Sequence, residues 1–237
     1  MGGRTKIEWT DSTISPVRGC SRGCPYCYAR KMNVRFKYVE DFSKPQFFPK
    51  ALEQPYKWKK PRIIFVCSMG ELFDPGVSPA WIHRVFAMMW DNPRHRFLLL
   101  TKQPMYASPW MDMMPSWALL GESITRYTWG DPFADPAIPH EPHQQLSGWS
   151  IAPPLEHFIS FEPLLGPAAE AIDEGTMWII IGAQTNPNVQ PKRVWVQEIL
   201  NAADDARIPV LMKHNLEWPG RRRFEFPADL EKIRSER

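Results

Sequence analysis

Short runs of apolar residues recur along the chain, and they constrain its fold more than any other feature. Examples are IIFVC at 63–67, FLLL at 97–100 and WIII at 178–181. Continuous apolar runs of this length are typical of parallel strands that are buried on both faces. We predict seven strands, at Thr5–Thr10, Arg62–Cys67, Arg96–Thr101, Ala118–Glu122, Glu156–Phe161, Met177–Ile181 and Pro209–Lys213.

Helical segments alternate with these strands. Helices are predicted at Pro25–Phe36, Ser78–Asn92 and Arg193–Ala206, and the second has Ser78 to cap it and Pro79 at its first position. Alternating strands and helices predict an α/β fold, a partial (β/α) barrel with mainly parallel strands. We expect one domain over residues 1–237, with an irregular insertion at about 125–154 and a basic tail at about 216–237.

Three cysteines lie within eight residues, in the order C-x3-C-x2-C. They are Cys20, Cys24 and Cys27. Three close thiolates can hold three irons of an iron–sulfur cluster and leave the fourth iron open to a small molecule. Gly19 and Gly23 are expected to allow the tight backbone turns that such a loop needs.

Two other uses of the triplet remain open. A structural zinc ion normally has four ligands, and the fourth cysteine, Cys67, lies in an apolar run where we expect a buried small side chain. A disulfide would leave one of the three cysteines unpaired. Ligand number and spacing favour the cluster over both alternatives.

With Tyr26 just before the last cysteine, the loop resembles the C-x3-C-x-aromatic-C signature of the radical S-adenosyl-L-methionine (SAM) superfamily. The resemblance implies a 4Fe-4S cluster on the three cysteines, with SAM bound to the open iron. It also implies reductive cleavage of SAM to a 5′-deoxyadenosyl radical that removes hydrogen from a substrate. An electron donor such as a flavodoxin or ferredoxin is then a partner.

The sequence Met69-Gly70-Glu71 resembles the Gly-Gly-Glu element of that superfamily, with Met69 in place of the first glycine. The resemblance implies that Gly70 lets the backbone approach the cofactor and that Glu71 binds the amino group of SAM. The alternative is an acidic residue that only stabilises a turn.

Four later positions resemble other cofactor contacts of the superfamily. Glu122 and Ser123 match contacts to the ribose hydroxyls and the carboxylate of SAM, and Gly182 and Ala183 match a strand end beside the adenine. Ordinary polar or small residues at strand ends are the alternative at each position.

A narrower resemblance covers most of the chain. The segments TKIEWTDST, SMGELFD, FEPLLGP and PVLMKHN, together with the cysteine loop, are similar to a phage-associated family of radical SAM-like proteins related to spore photoproduct lyase. The chain departs from that family where GGESG is replaced by GAQTN at 182–186.

Polar residues follow nearly every predicted strand, and the carboxyl ends of barrel strands surround one active-site mouth. Glu162 follows the fifth predicted strand, and Lys213 ends the seventh. A charge beside a core must be paired or face a polar cavity. Glu162 and Lys213 are therefore expected either to pair with each other or to line a substrate pocket as catalytic residues.

Composition adds little about the substrate, since the net charge is only +3. Basic residues at 57–62, interleaved with Tyr56 and Trp58, and at 221–223 are candidates for a nucleic-acid face, although a solvated charged surface is the simpler interpretation. No apolar run approaches the roughly 20 residues of a membrane span. The amino terminus does not read as a signal peptide, and we expect a reducing cytoplasm.

Two functions therefore remain open from the sequence. The first is a radical SAM enzyme that acts on a nucleic acid or modified nucleoside. The second is a non-enzymatic iron–sulfur or zinc protein that binds nucleic acid. Glu71 and the polar strand ends favour the enzyme, because a structural metal site does not need them.

Overall fold

The computed structural model describes residues 5–126 and 156–236. The predicted insertion at about 125–154, with His140 and His143, falls almost wholly outside the described residues. Nine strands lie in the described ranges: β1 Ser12–Ile14, β2 Val17–Arg18, β3 Gln46–Phe47, β4 Ile63–Val66, β5 Arg96–Thr101, β6 Ala118–Ser123, β7 His157–Phe161, β8 Thr176–Ile181 and β9 Val210–Met212.

Seven of these strands form one sheet in the order β1-β4-β5-β6-β7-β8-β9. The pairs β1–β4, β4–β5, β6–β7, β7–β8 and β8–β9 are all parallel. Each strand therefore lies beside the next long strand of the chain, which is the strand order of a (β/α) barrel. The predicted α/β fold with partial-barrel topology is confirmed. The short strands β2 and β3 form a separate antiparallel pair.

Six α-helices lie in the described ranges: α1 Tyr28–Phe36, α2 Gln54–Lys57, α3 Pro79–Trp90, α4 Pro104–Ala107, α5 Arg193–Ala206 and α6 Ala228–Ser235. Helix α5 has the predicted bounds, and α3 has Pro79 in its first turn as predicted. Helix α1 begins three residues later than predicted, at Tyr28, because Cys27 takes the N-cap position.

The first predicted strand is wrong. Residues 5–10 are not extended in the sheet, and β1 begins at Ser12. The Thr10 hydroxyl donates to the carbonyl of Ile63 at 2.8 Å, and the Ile63 amide donates to the Asp11 carboxylate at 2.8 Å. The side chains of Thr10 and Asp11 thus form hydrogen bonds with the backbone at the start of β4. Strand pairing between β1 and β4 therefore begins only at Ser12.

The chain divides into two compact units. The first comprises Met1–Gly23, Cys27–Leu120 and Ala228–Arg237, and the second comprises Cys24–Tyr26 and Gly121–Pro227. The prediction of one domain over residues 1–237 stays a prediction.

Each unit has a buried core of its own. In the first, β4 is buried along its whole length and α3 buries the side chains of Val85, Phe86 and Met89. In the second, β7, β8 and β9 pack against the buried face of α5, which includes Val196 and Ile199. Continuous burial explains why these strands read as unbroken apolar runs. None of the described helices combines the length and the apolar character that crossing a membrane requires.

Candidate functional site

The cysteine loop, residues 19–27, leads into α1. Cys20, Cys24 and Cys27 form no disulfide in the described part of the chain, and all three are half-buried. The Cys27 sulfur accepts a hydrogen bond from the Arg30 amide at 3.4 Å and so caps the start of α1. A helix N-terminus favours a negatively charged group, so the sulfur of Cys27 stands at a position that suits a metal-binding ligand.

Asp74 anchors the cysteine loop from the segment after β4. Its buried carboxylate accepts hydrogen bonds from the Ser21 amide and hydroxyl, both at 2.7 Å, and from the Gly76 amide at 2.9 Å. Sequence reasoning missed Asp74. The local Asp-Pro-Gly sequence indicates a turn, but its bond to Ser21 spans 53 positions and leaves no local pattern.

Two arginines hold the same loop from within the first unit. The Arg30 guanidinium donates to the carbonyls of Cys20 at 3.2 Å and Arg22 at 2.9 Å. The Arg22 guanidinium donates to the carbonyl of Lys102, just after β5, at 2.8 Å. The conformation of residues 20–22 is therefore fixed by hydrogen bonds from several directions.

The Met69-Gly70-Glu71 segment lies directly against the cysteine loop. The Gly19 amide donates to Met69, and the Glu71 amide donates to Gly19, each at 3.1 Å. A Cβ atom on Gly70 would lie 2.8 Å from the Gly19 carbonyl oxygen, so only glycine allows this approach. Gly19 itself has a φ of 99°, which favours glycine. Gly23 has no left-handed φ and open space around its Cβ position, so its expected role is wrong.

Glu71 is buried at the carboxyl ends of two neighbouring strands. Its carboxylate accepts hydrogen bonds from the Thr101 hydroxyl at 3.0 Å and from the amides of Lys102 and Phe73, each at 3.2 Å. Burial raises the pKa of Glu71 above its ordinary value; these three bonds oppose the shift, and the nearby charge of Asp74 adds to it. A carboxylate offers about four acceptor positions, so Glu71 has capacity for another donor.

Met69 packs with Cys20 and Cys27 against the small apolar cluster of Ala29, Val39 and Phe42. The side chain in place of the superfamily's first glycine is thus part of an apolar wall beside two of the thiols.

Cys67 is buried, as predicted, and burial raises the pKa of its thiol to about 12. Such a thiol stays protonated at neutral pH and is a poor metal ligand.

Among the described residues, no three His, Cys, Asp or Glu side chains are gathered closely enough to hold a metal ion. The chemistry of the loop nevertheless fits an iron–sulfur cluster, because three half-buried thiols share one anchored loop and one of them caps a helix.

A second group of polar side chains lies within the second unit. The Lys213 ammonium forms an ion pair with the Glu162 carboxylate, which also accepts a hydrogen bond from the Ser160 hydroxyl at 3.1 Å. A Cβ atom on Gly182 would lie 2.8 Å from a Glu162 carboxylate oxygen, so the glycine makes room for the pair. Two outcomes are predicted for Glu162 and Lys213, an ion pair or a substrate pocket. In the structure the two side chains form the ion pair.

The remaining predicted cofactor contacts also belong to the second unit. Glu122 and Ser123 are buried at the end of β6, and the Ser123 hydroxyl donates to the Glu162 carbonyl at 3.3 Å. Ala183 is buried and its carbonyl accepts from the Asn215 amide group at 2.7 Å, while Tyr26 is half-buried.

Part of the predicted basic face is occupied by contacts within the chain. Arg223 forms ion pairs with Asp204 at 2.6 Å and Glu225 at 2.8 Å. Trp58 is buried beneath the Arg62 guanidinium, which lies 4.7 Å from its ring centroid. Trp58 is therefore unable to stack on bases, which corrects that expectation.

Comparison with known proteins places the chain in a family. The model of the family DUF5131, described as a protein of unknown function, matches residues 4–229. The chain belongs to DUF5131. No curated protein sequence matches this member of the family.

Among solved structures, this DUF5131 member is similar to a spore photoproduct lyase complexed with dinucleoside spore photoproduct. The TM-score is 0.47 at 9% sequence identity, and the match covers 88% of this chain. The chain spans 65% of the length of the lyase. The order of the strands in the sheet defines the fold of this chain independently of the lyase.

Proposed function

We propose that this protein is a radical SAM enzyme whose cluster is held by Cys20, Cys24 and Cys27. The observation that carries the proposal is the contact between the cysteine loop and the Met69-Gly70-Glu71 segment. Gly70 allows the two backbones to touch, and this fixes a buried carboxylate next to the thiol loop. A structural metal loop has no need of a buried acid with spare acceptor capacity, whereas the ammonium of an amino-acid cofactor is a fitting donor for it.

Cys20, Cys24 and Cys27 would hold a 4Fe-4S cluster, which when reduced would supply the electron for reductive cleavage of SAM. The residues of this chain hold and orient the reactants. Glu71 receives the amino group of SAM. Burial raises the pKa of its carboxyl, and a cation bound beside it lowers that pKa again and so favours the ionised form. Met69 and the apolar cluster beside Cys20 and Cys27 exclude water from one side of the loop.

The other predicted contacts complete the proposal. We assign Tyr26, Glu122, Ser123, Gly182 and Ala183 to SAM. Glu162 and Lys213 are assigned to the substrate pocket, where their partial burial lets them exchange their mutual ion pair for contacts with a polar substrate. The substrate class proposed is a nucleic acid or modified nucleoside, and the electron donor is a flavodoxin or ferredoxin.

Anaerobic reconstitution tests the proposal. The purified protein is expected to take up one 4Fe-4S cluster and to cleave SAM slowly to 5′-deoxyadenosine without substrate, as measured by iron and sulfide content and by chromatography. Replacing Cys20, Cys24 and Cys27 together by alanine should abolish the cluster. Cys67→Ala is the matched control and should retain it, because this thiol is buried and stays protonated. Stoichiometric zinc without iron in protein from iron-supplemented anaerobic cells would contradict the proposal and favour the zinc alternative.

A further inference from the structure

The outer face of α1 exposes large apolar side chains directly after the cysteine loop. Tyr28, Met32 and Phe36 recur every four residues, and Phe36 is 50% exposed and packs against the exposed ring of Tyr38. Residues four apart are neighbours on a helix surface, so these side chains form one continuous strip. Together with Arg35 and Lys37, we call Tyr28, Met32, Phe36 and Tyr38 the α1 surface.

The charge around this strip is mainly positive. Residues 12–39 contain six basic residues and no acidic residue, and of the two acids that follow, Glu40 is exposed and Asp41 pairs with Lys44 at 3.4 Å. Arg35 and Lys37 lie on the exposed end of α1, and the Arg35 guanidinium lies 5.0 Å from the centroid of the Phe36 ring. An apolar strip beside an excess of cations is complementary to a partner that has its own apolar centre and an acidic rim.

The side chains indicate a protein partner in preference to a nucleic acid. Tyr, Phe, Met and Arg are the residue types enriched at the cores of protein interfaces. A single-stranded nucleic acid would stack its bases on aromatic rings. Met32, and the neighbouring Val34 with 76% of its surface exposed, offer no such stacking face.

The position of the α1 surface indicates what that partner does. Helix α1 has nine residues, about 14 Å at 1.5 Å per residue, and its first turn is capped by Cys27. A protein seated on α1 is therefore close to the thiol loop. Building on the proposed function, we propose that the α1 surface is the docking site of an acidic electron-transfer protein. One electron leaves the reduced flavin of that partner and enters the cluster; no bond forms and no proton moves.

The experiment uses the reconstituted full chain and a reduced flavodoxin. The test variant is R35E/K37E, and K192E/R193E is the matched control, since it reverses two exposed adjacent cations at the start of α5. Flavodoxin binding, measured by interferometry, and the rate of cluster reduction, measured by stopped-flow absorbance, should both fall at least about tenfold in R35E/K37E. Both should stay near the parent values in the control. Reduction by photoreduced deazaflavin, a small molecule that needs no docking site, should be equal in all three proteins.

A second variant tests the apolar strip. M32A/F36A should weaken flavodoxin binding at high salt as well as low salt, whereas the effect of R35E/K37E should shrink as salt screens the charges. Equal losses in R35E/K37E and K192E/R193E would overturn the proposal, because they would indicate attraction by overall charge. Binding of a single-stranded oligonucleotide at the α1 surface with no binding of flavodoxin would overturn it too.

The docking proposal and the proposed function fail in different ways. If no cluster forms, the proposed function fails. In that case a loss of flavodoxin binding in R35E/K37E, but not in K192E/R193E, still supports docking at the α1 surface. If the cluster forms and SAM is cleaved, but the three proteins bind flavodoxin equally, only the docking proposal fails.

Discussion

At the scale of single residues, the buried carboxylate of Glu71 links the cysteine loop to the strands that carry it. Its backbone amide bonds to Gly19, and its side chain accepts donors from the residues at and after the end of β5. An acid so placed favours a folded loop and also remains available to a cation.

Glu71→Gln should weaken SAM binding by about ten- to a hundredfold, because one charge-assisted hydrogen bond contributes roughly 1.5–3 kcal/mol. In the parent the Lys102 amide donates to the Glu71 carboxylate at 3.2 Å. In the variant the side-chain NH2 group of glutamine replaces one carboxylate oxygen, so two donors can face each other there. Titration calorimetry on the reconstituted protein measures the affinity, and the cluster spectrum should be nearly unchanged. Glu53→Gln, at an exposed acid, is the control. Unchanged affinity in folded Glu71→Gln would remove Glu71 from the cofactor site.

The raised pKa of Glu71 also predicts a pH dependence of stability. Because the folded state holds this proton more tightly than the unfolded chain, the contribution of Glu71 is fully present below the ordinary pKa of 4.5. It is lost as the pH rises through the raised value. The free energy of unfolding of the parent should therefore fall relative to that of Glu71→Gln above pH 4.5, as urea titrations at several pH values measure. A free energy of unfolding that rises in the parent relative to Glu71→Gln over this pH range would contradict this.

At the scale of elements, the contact between two loops depends on Gly70. Gly70→Ala would bring its Cβ to 2.8 Å from Gly19 O and 2.9 Å from Arg18 Cα, which are backbone atoms that yield poorly. We expect a loss of roughly 1–3 kcal/mol in the free energy of unfolding, together with lower iron uptake. Gly23→Ala is the matched control in the same loop and should change stability by less than about 0.5 kcal/mol. Equal effects of the two substitutions in urea unfolding would refute the close contact.

The strands β7 and β9 are joined by the pair of Glu162 and Lys213. Lys213→Ala leaves a mostly buried carboxylate that keeps the Ser160 hydroxyl as a donor among the described residues, and it should cost roughly 1–3 kcal/mol. The exposed pair of Lys57 and Glu53 is the control, since Lys57→Ala should cost less than about 1 kcal/mol. If Lys213 also serves the substrate, the folded variant keeps its cluster and slow SAM cleavage but loses turnover. Loss of all three together would assign Lys213 to structure alone.

Elements with a strong pattern were predictable from the sequence. Strand β5 and helix α5 have the predicted bounds because an apolar run and a helical period each continue to their ends. Strand β1 was misplaced, since Thr10 and Asp11 bond to β4 through side chains. The two-residue strands β2 and β3 are too short for any periodicity. Helix α6 lies within the predicted basic tail and has too weak an apolar pattern to be predicted, because it buries only Leu230 and Ile233.

The site was predictable only where its signal is local. The cysteine spacing and the Met69-Gly70-Glu71 segment are short motifs that a single sequence displays. The anchoring of Ser21 by Asp74 and the pairing of Glu162 with Lys213 join positions 53 and 51 residues apart. Such partners are brought together by the fold. The sequence alone therefore left two roles open for Glu162 and Lys213, an ion pair or a substrate pocket, and it gave no sign of the role of Asp74.

At the scale of the whole molecule, the division into two units falls inside a strand. Ala118–Leu120 of β6 belong to the first unit and Gly121–Ser123 to the second. The chain also returns to the first unit at α6, where Asp229 pairs with Arg96 at 3.5 Å. The seven long strands nevertheless belong to one hydrogen-bonded sheet, which favours cooperative unfolding.

The metal-free protein should accordingly unfold in urea in a single transition. Far-UV circular dichroism and the fluorescence of the 11 tryptophans should follow the same curve, because coincident probes are the mark of two-state unfolding. Two separated transitions would show that the units are independent domains and would overturn the prediction of one domain over residues 1–237.

The anchoring of the cysteine loop has a consequence for how the protein matures. Asp74 and Arg30 hold residues 20–22 by hydrogen bonds that need no metal. In a zinc finger, by contrast, metal binding and folding are one event, and removing the ion unfolds the chain. If the loop holds the proposed cluster, folding and loading should therefore be separable, and a chain that loses its iron to oxygen should return to a folded apoprotein. Restoring the cluster would then need iron, sulfide and reduced thiols, and no new synthesis of the polypeptide.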